Sequence, residues 1–140
     1  MFLLDTNVVS ELMRPKPEPS VEAWVAGRPP KDLFLSAVSE AELRYGAAIL
    51  PKGRRRATLF SDIEGMLQRA FGDRVLPFDR EAARTFGDIG AMRRAVGLNV
   101  DPVDCQIAAI ARCRGLTVVT RNVSHFEGMG IALVDPWATV

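Results

Sequence analysis

A chain of 140 residues with 48% hydrophobic and 25% charged side chains and a net charge of +1 reads as one soluble globular domain spanning 1–140, able to bury roughly two-thirds of its unfolded surface. No apolar run approaches the ~20 residues of a membrane span, and the opening MFLLDTN places no basic region before its apolar run, so membrane and secretory classes are set aside and a cytoplasmic location is expected. The near-neutral charge does not by itself announce a nucleic-acid partner; any such assignment must come from local patterning.

In chain order, Phe2, Leu3 and Leu4 form an unbroken apolar run that suits a strand buried on both faces, and Asp5 stands at its carboxyl end. Val8, Val9 and Leu12 then fit one face of a short helix, which the prolines of RPKPEPS break. Ser20 is a candidate cap for a second short helix carrying Val21, Trp24 and Val25, which Gly27 and the Pro29, Pro30 pair end. LFLSAV from Leu33 reads as a second buried strand. A helix from about Ser39 to Leu50 follows, then the break PKG, then a long helix through Leu59, Ile63, Leu67 and Ala70. RVLPF is a short third strand, and Asp79 can cap a helix running to about Val96. GLNVDP leads into a helix from Pro102 to Arg114, with Gly115 as its C-cap. LTVVT and IALVD supply a fourth and a fifth strand. Strands separated by helices imply crossover connections and a parallel sheet covered by helices on both faces. Cys105 and Cys113, eight residues apart on one helix, lie ~12 Å apart along its axis and are read as unpaired apolar fillers.

Helical phase selects among the acids. Glu42 shares a stripe with Val38, Tyr45 and Ile49, whereas Glu40 lies ~200° away. Asp104 shares a stripe with Ile107, Ala108 and Ala111. A carboxylate facing inward is costly unless it is paired, hydrogen-bonded or metal-bound. Structural roles compete for the same residues: Ser39 and Glu42 match a capping box, Asp101, Pro102 and Asp104 make a good helix start, and Asp5 can serve the turn before the first helix. Spacing alone leaves both sets of roles open.

The stretches LLDTNVVSEL, AELRYG at 41–46, PVDCQIAAIA at 102–111 and TRNVSHFEGMGIALVDPW at 120–137, with the distances between them, resemble a PIN-domain ribonuclease of the VapC and FitB type, the toxins of type II toxin-antitoxin modules. The resemblance implies a single three-layer α/β/α domain with a central parallel sheet of about five strands, and an acidic cluster binding Mg²⁺ or Mn²⁺. Carried over by position, the metal-binding catalytic acids are Asp5, Glu42 and Asp104. Many relatives place a fourth acid at or near position 122, where this chain has Asn122, a candidate fourth position that brings no charge. The resemblance further implies hydrolysis of RNA to a 5′-phosphate and a 3′-hydroxyl, a homodimer, and a small antitoxin partner whose tail crosses the acidic site.

Three carboxylates gathered in one cleft repel one another, and a hard divalent cation relieves that repulsion. No nucleophile elbow, C-x-x-C pair or phosphate-binding lysine loop competes with this reading. For the RNA backbone the candidates are Arg121, which adjoins the site in sequence, and Arg54, Arg55 and Arg56 in KGRRR, with Arg14, Arg93 and Arg94 behind them. Trp24 and Trp137 are read as core or subunit-interface residues and not as base-stacking platforms. Two rivals stand beside the nuclease. One is a catalytically idle PIN fold that binds RNA or protein, which Asn122 favours. The other is a phosphatase with an aspartate nucleophile, which would want an acid where Asn7 stands.

Overall fold

The computed structural model describes residues 1–138; positions 139–140 of the expected 1–140 span lie outside the described residues. Its five strands, β1 (Phe2–Leu4), β2 (Leu33–Ser36), β3 (Val75–Leu76), β4 (Thr117–Val119) and β5 (Leu133–Val134), form one sheet in the order β3-β2-β1-β4-β5. Every neighbouring pair is parallel. The sheet expected from the alternation of strand and helix signals is therefore present, with its apolar first strand at the centre.

The helices are α1 (Thr6–Leu12), α2 (Pro19–Ala26), α3 (Ala37–Ala48), α4 (Arg54–Met66), α5 (Arg80–Ala95), α6 (Pro102–Arg114) and α7 (Val123–Phe126). Successive residues of a strand point to opposite faces, and β1 shows what that does here. Leu3 packs into a core built from α5, α6 and Phe126 of α7. Leu4 packs into a second core with Val8 and Val9 of α1, Trp24 of α2, Leu43 and Ala47 of α3, and Ile63 of α4. Both faces of the strand are dry, which is why its sequence runs apolar without alternation. Cys105 is buried, Cys113 is half-buried, and both are free thiols.

Several local expectations change. Ser20 does not cap α2: Glu18 is the N-cap and Pro19 takes the first helical position, where its missing N–H costs nothing. LFLSAV is a strand only as far as Ser36, whose hydroxyl accepts the Ser39 N–H at 3.0 Å and caps α3 three residues before the expected cap, Ser39. The Ser39 and Glu42 capping box is thereby overturned, since Ser39 is already inside the helix. The stripe argument for Glu42 also changes. The buried face of α3 is Ser39, Leu43 and Ala47, and Tyr45 and Ile49 are 68% and 63% exposed. Glu42 is an exposed residue on that outer face. The long helix after PKG ends in a π-helical turn, Leu67–Phe71, where the Gly72 N–H reaches back to the Leu67 carbonyl at 2.7 Å. The short helix α7 had no counterpart among the expected elements.

Moving the cap from Ser39 to Ser36 has a measurable result. Ser36→Ala should lower unfolding stability by about 1–2 kcal/mol, the usual loss on removing a serine cap, while Glu42→Gln should not lower it at all. Urea midpoints of the two variants test this, and a loss confined to Glu42→Gln would reinstate the capping box.

Candidate functional site

The strand order reverses at β1, with β2 on one side and β4 on the other. Ligands of open α/β sheets bind outside the carboxyl ends of the strands at such a switch point, and Asp5 is the residue that follows β1 there. Its backbone N–H continues the ladder to the Val119 carbonyl of β4 at 2.9 Å. Its carboxylate, in a residue 5% exposed, accepts the Thr6 N–H at 2.7 Å as the cap of α1 and the Thr120 hydroxyl at 2.7 Å. The Asn7 amide nitrogen lies 3.4 Å from the same carboxylate and 3.3 Å from the Thr120 hydroxyl. Burial pushes the Asp5 carboxyl above its ordinary pKa and Glu42 adds to the rise; the Thr120 and Thr6 hydrogen bonds and the charge of His125 pull the other way.

Glu42 reaches the same cleft from α3. The Thr6 hydroxyl donates to its carboxylate and lies 2.9 Å from Ser39 Oγ, which ties the start of α1 to α3. Glu40 turns away: it pairs with Arg44 at 2.7 Å, and Arg44 also binds Glu64 of α4. Asp104 enters in the first turn of α6, where the Asp101 side chain caps the helix by accepting the Asp104 N–H at 3.0 Å. Its stripe partners Ile107, Ala108 and Ala111 are buried as expected. Burial raises the Asp104 pKa to about 6, with further upward push from Asp101, Asp5 and Glu42, while His125, 3.4 Å away, opposes it.

Asp5, Glu42 and Asp104 thus line one cleft of about 570 Å³ together with Asn122 and Arg121. Asn122 is the N-cap residue of α7, yet its side chain makes no capping bond; its backbone N–H donates to the Thr120 hydroxyl at 3.0 Å and its carbonyl accepts the His125 N–H at 3.0 Å. Arg54, Arg55 and Arg56 are not part of the cleft wall; Arg56 lies over the Phe60 ring instead. Three hard oxygen donors, mutually repelling, suit a divalent cation. Among the described residues no three His, Cys, Asp or Glu side chains are close enough to close a metal cage. The donors are carboxylate oxygens only, the chemistry of a Mg²⁺-class ion and not of zinc, but in the structure as it stands they do not converge into a group that holds an ion.

The amino-acid sequence matches the PIN domain family over residues 2–128. The chain belongs to the PIN-domain family. A VapC ribonuclease of Sinorhizobium fredii is 41% identical over 137 residues, 98% of each chain. The toxin FitB of Neisseria gonorrhoeae is 38% identical over 137 residues, covering 98% of this chain and 99% of FitB. In structure, FitAcB from Neisseria gonorrhoeae matches with a TM-score of 0.93 at 37% identity, over 99% of this chain and all of the other.

Sequence reasoning missed the supports of this PIN-domain site. Thr6, Asn7 and Thr120 hold Asp5, and only the run Asp5-Thr6-Asn7 hinted at it. Glu11, 8% exposed, accepts the Glu18 N–H at 3.1 Å and holds Arg14 at 3.3 Å beside the cleft, an i,i+3 pair that was legible in the sequence. Trp137, read as core or interface, packs on the core with part of its ring and borders the cleft with the rest.

The raised Asp104 pKa carries a pH signature. In the folded chain this carboxyl holds its proton up to about pH 6, against about 4 in an unfolded chain. Its contribution to stability is therefore fully present below about pH 4 and is lost as pH rises through about 6. Metal-free protein should lose stability over that window, and Asp104→Asn should lose less. Chemical denaturation at pH 4.5 and 7.5 in EDTA measures it; equal pH dependence in both proteins would show that Asp104 is not crowded.

Proposed function

We propose that this protein is a metal-dependent endoribonuclease acting as the toxin of a type II toxin-antitoxin pair. The observation that carries the reading is the arrival of three carboxylates, from the end of β1, from α3 and from the start of α6, in one cleft at the switch point of the sheet. The VapC and FitB relatives, one named a ribonuclease and the other a toxin, support the same reading.

In this reading Asp5, Glu42 and Asp104 hold Mg²⁺, or Mn²⁺, with Asn122 as the neutral fourth position. When bound, such an ion orients the scissile phosphate, supplies an activated water and neutralises charge developing on the phosphate oxygens. Asp5 is held in one orientation by the Thr6 N–H and the Thr120 hydroxyl, so its free lone pairs face the cleft without a reorganisation cost. Arg121 and Arg14 supply positive charge at the rim for RNA phosphates, and exposed Arg54 and Arg55 are left for contacts with RNA beyond the cleft. The antitoxin would act by covering the acidic cleft. Two copies of the chain would pair through exposed apolar residues such as Tyr45 and Ile49, in the cytoplasm; no helix among the described residues is long and apolar enough to cross a membrane.

The test is cleavage of single-stranded RNA with and without Mg²⁺. Asp5→Asn and Glu42→Gln should each reduce the rate by at least about a hundredfold, the scale of losing a charge-stabilising group in an active site, while Glu40→Gln should stay within about twofold. Mg²⁺ should raise the unfolding midpoint of the parent far more than that of Asp5→Asn. RNA binding without any metal-stimulated cleavage in the parent would make the chain an idle binding module instead.

Asn122 supplies an independent measurement. Adding a negative charge beside a divalent ion strengthens its binding, so Asn122→Asp should raise Mn²⁺ affinity about five- to tenfold by calorimetry. Activity need not follow, because tighter ground-state binding does not lower the barrier. Unchanged affinity would place Asn122 outside the metal's reach.

A further inference from the structure

One corner of the cleft is neither acidic nor metal-like. After β5 the Asp135 side chain accepts the Trp137 N–H at 2.9 Å, a local turn that fixes the tryptophan backbone. The indole is half-buried against the core that contains Leu4 and Val9, and its remaining surface lines the cleft. Arg121, exposed at the end of β4, lies over that ring with its guanidinium carbon 5.2 Å from the centroid. Its backbone N–H is bonded to Asn7 Oδ1 at 3.4 Å, which ties the pair to the same network that holds Asp5.

The choice of partner is informative. Arg121 shares a cleft with Asp5, Glu11, Glu42 and Asp104, yet among the described residues it forms no ion pair with any of them. The other tryptophan shows the contrasting, structural use. Trp24 is 7% exposed and enclosed by Phe2 and Arg28 in the core. Single-stranded nucleic acids are held by this combination, a flat aromatic or guanidinium surface for the base beside positive charge for the backbone.

We propose that Trp137 and Arg121 form a nucleobase-stacking subsite, on which a base flanking the scissile phosphate of single-stranded RNA continues the indole–guanidinium stack. The ligand class rests on the ribonuclease reading; the subsite itself rests on the stacked pair. A base held there sets the register of the strand, so that the adjoining phosphate lies at the acids and not elsewhere along the cleft. The planar guanidinium matters as well as the charge, which a lysine would not reproduce.

The experiment measures binding apart from cleavage. Affinity for a fluorescein-labelled single-stranded oligoribonucleotide is followed by anisotropy, in the parent chain with EDTA and in Asp5→Asn with Mg²⁺, alongside a strand of equal length carrying abasic sites. Trp137→Ala should weaken binding of the base-bearing strand about tenfold, the scale of one lost stacking contact, while Trp137→Phe stays within about threefold. Arg121→Ala should weaken it similarly, with Arg121→Lys failing to restore it. The Trp137 variants should bind the abasic strand as the parent does. Arg121→Ala should lose clearly less on it than on the base-bearing strand, because only its phosphate contact is then missing. Full rescue by Arg121→Lys, equal losses on the abasic strand, or unchanged affinity in Trp137→Ala would each overturn the subsite. The Arg121 series keeps the test decisive should Trp137→Ala not fold. A parent that binds in this pattern but does not cleave would refute the nuclease and leave the subsite standing; a parent that cleaves while Trp137→Ala binds normally would do the reverse.

Discussion

The constraint on which the rest of the site depends is a carboxylate, Asp5, kept almost out of water at the end of a central strand. Such a group is costly to bury unless its oxygens are satisfied, and here they are satisfied from three directions. The Thr6 N–H comes from the first turn of α1, the Thr120 hydroxyl from the end of β4, and the Asn7 amide donates both to the carboxylate and to the Thr120 hydroxyl. The parallel register that sets Leu4 opposite Val119 brings Thr120 within reach of Asp5. The sheet therefore does more than carry the acid: the pairing of β1 with β4 builds the acid's support.

A second consequence is that the neighbouring acids are forced into view of one another. Glu42 accepts from the hydroxyl of Thr6, whose N–H is capped by Asp5, and Asp104 sits in the first turn that Asp101 caps, so both are placed by residues at helix starts. Burial first, and the neighbouring acids after it, push the carboxyl groups of Asp5 and Asp104 above their ordinary pKa. A fold retains such repulsion where a cation or a substrate is to relieve it. The basic residues nearby do not collapse onto these acids because they are engaged elsewhere. Glu11 retains Arg14, and the Trp137 ring retains Arg121. The cleft consequently keeps an acidic floor and a rim with positive and aromatic character.

Much of this was written in the sequence itself. The apolar runs FLL, LFL and TVV had no alternation to suggest a wet face, and the helical signals between them required crossovers, so a parallel sheet covered on both sides followed from periodicity alone. Asp79, the Asp101-Pro102 pair and Gly115 marked helix ends correctly because caps are local chemistry. The acids Asp5 and Asp104 could be singled out since both break an apolar pattern at an element boundary. Glu42 was selected as well, but through a stripe of which only Val38 touches a core, while Tyr45 and Ile49 face solvent. Its neighbours Ser39, Leu43 and Ala47 are the residues that meet the core.

Tertiary structure decided what local pattern could not reach. The sequence pointed to Ser39 as the cap of α3, and Ser36, read as strand, takes that place in the fold, where Ser39 is bonded to both Thr6 and Ser36. Thr120 and Asn7 lie 113 residues apart in sequence, and no spacing rule joins them; the β1 to β4 pairing does. Trp137 reads as one more apolar residue near a chain end, and its place in the cleft depends on where β5 delivers it. Residue types and periods determined which elements form and which acids are out of place in them, because those depend on neighbours within a turn or two. Which side chains meet across the cleft depended on strand order and register, which are properties of the whole sheet.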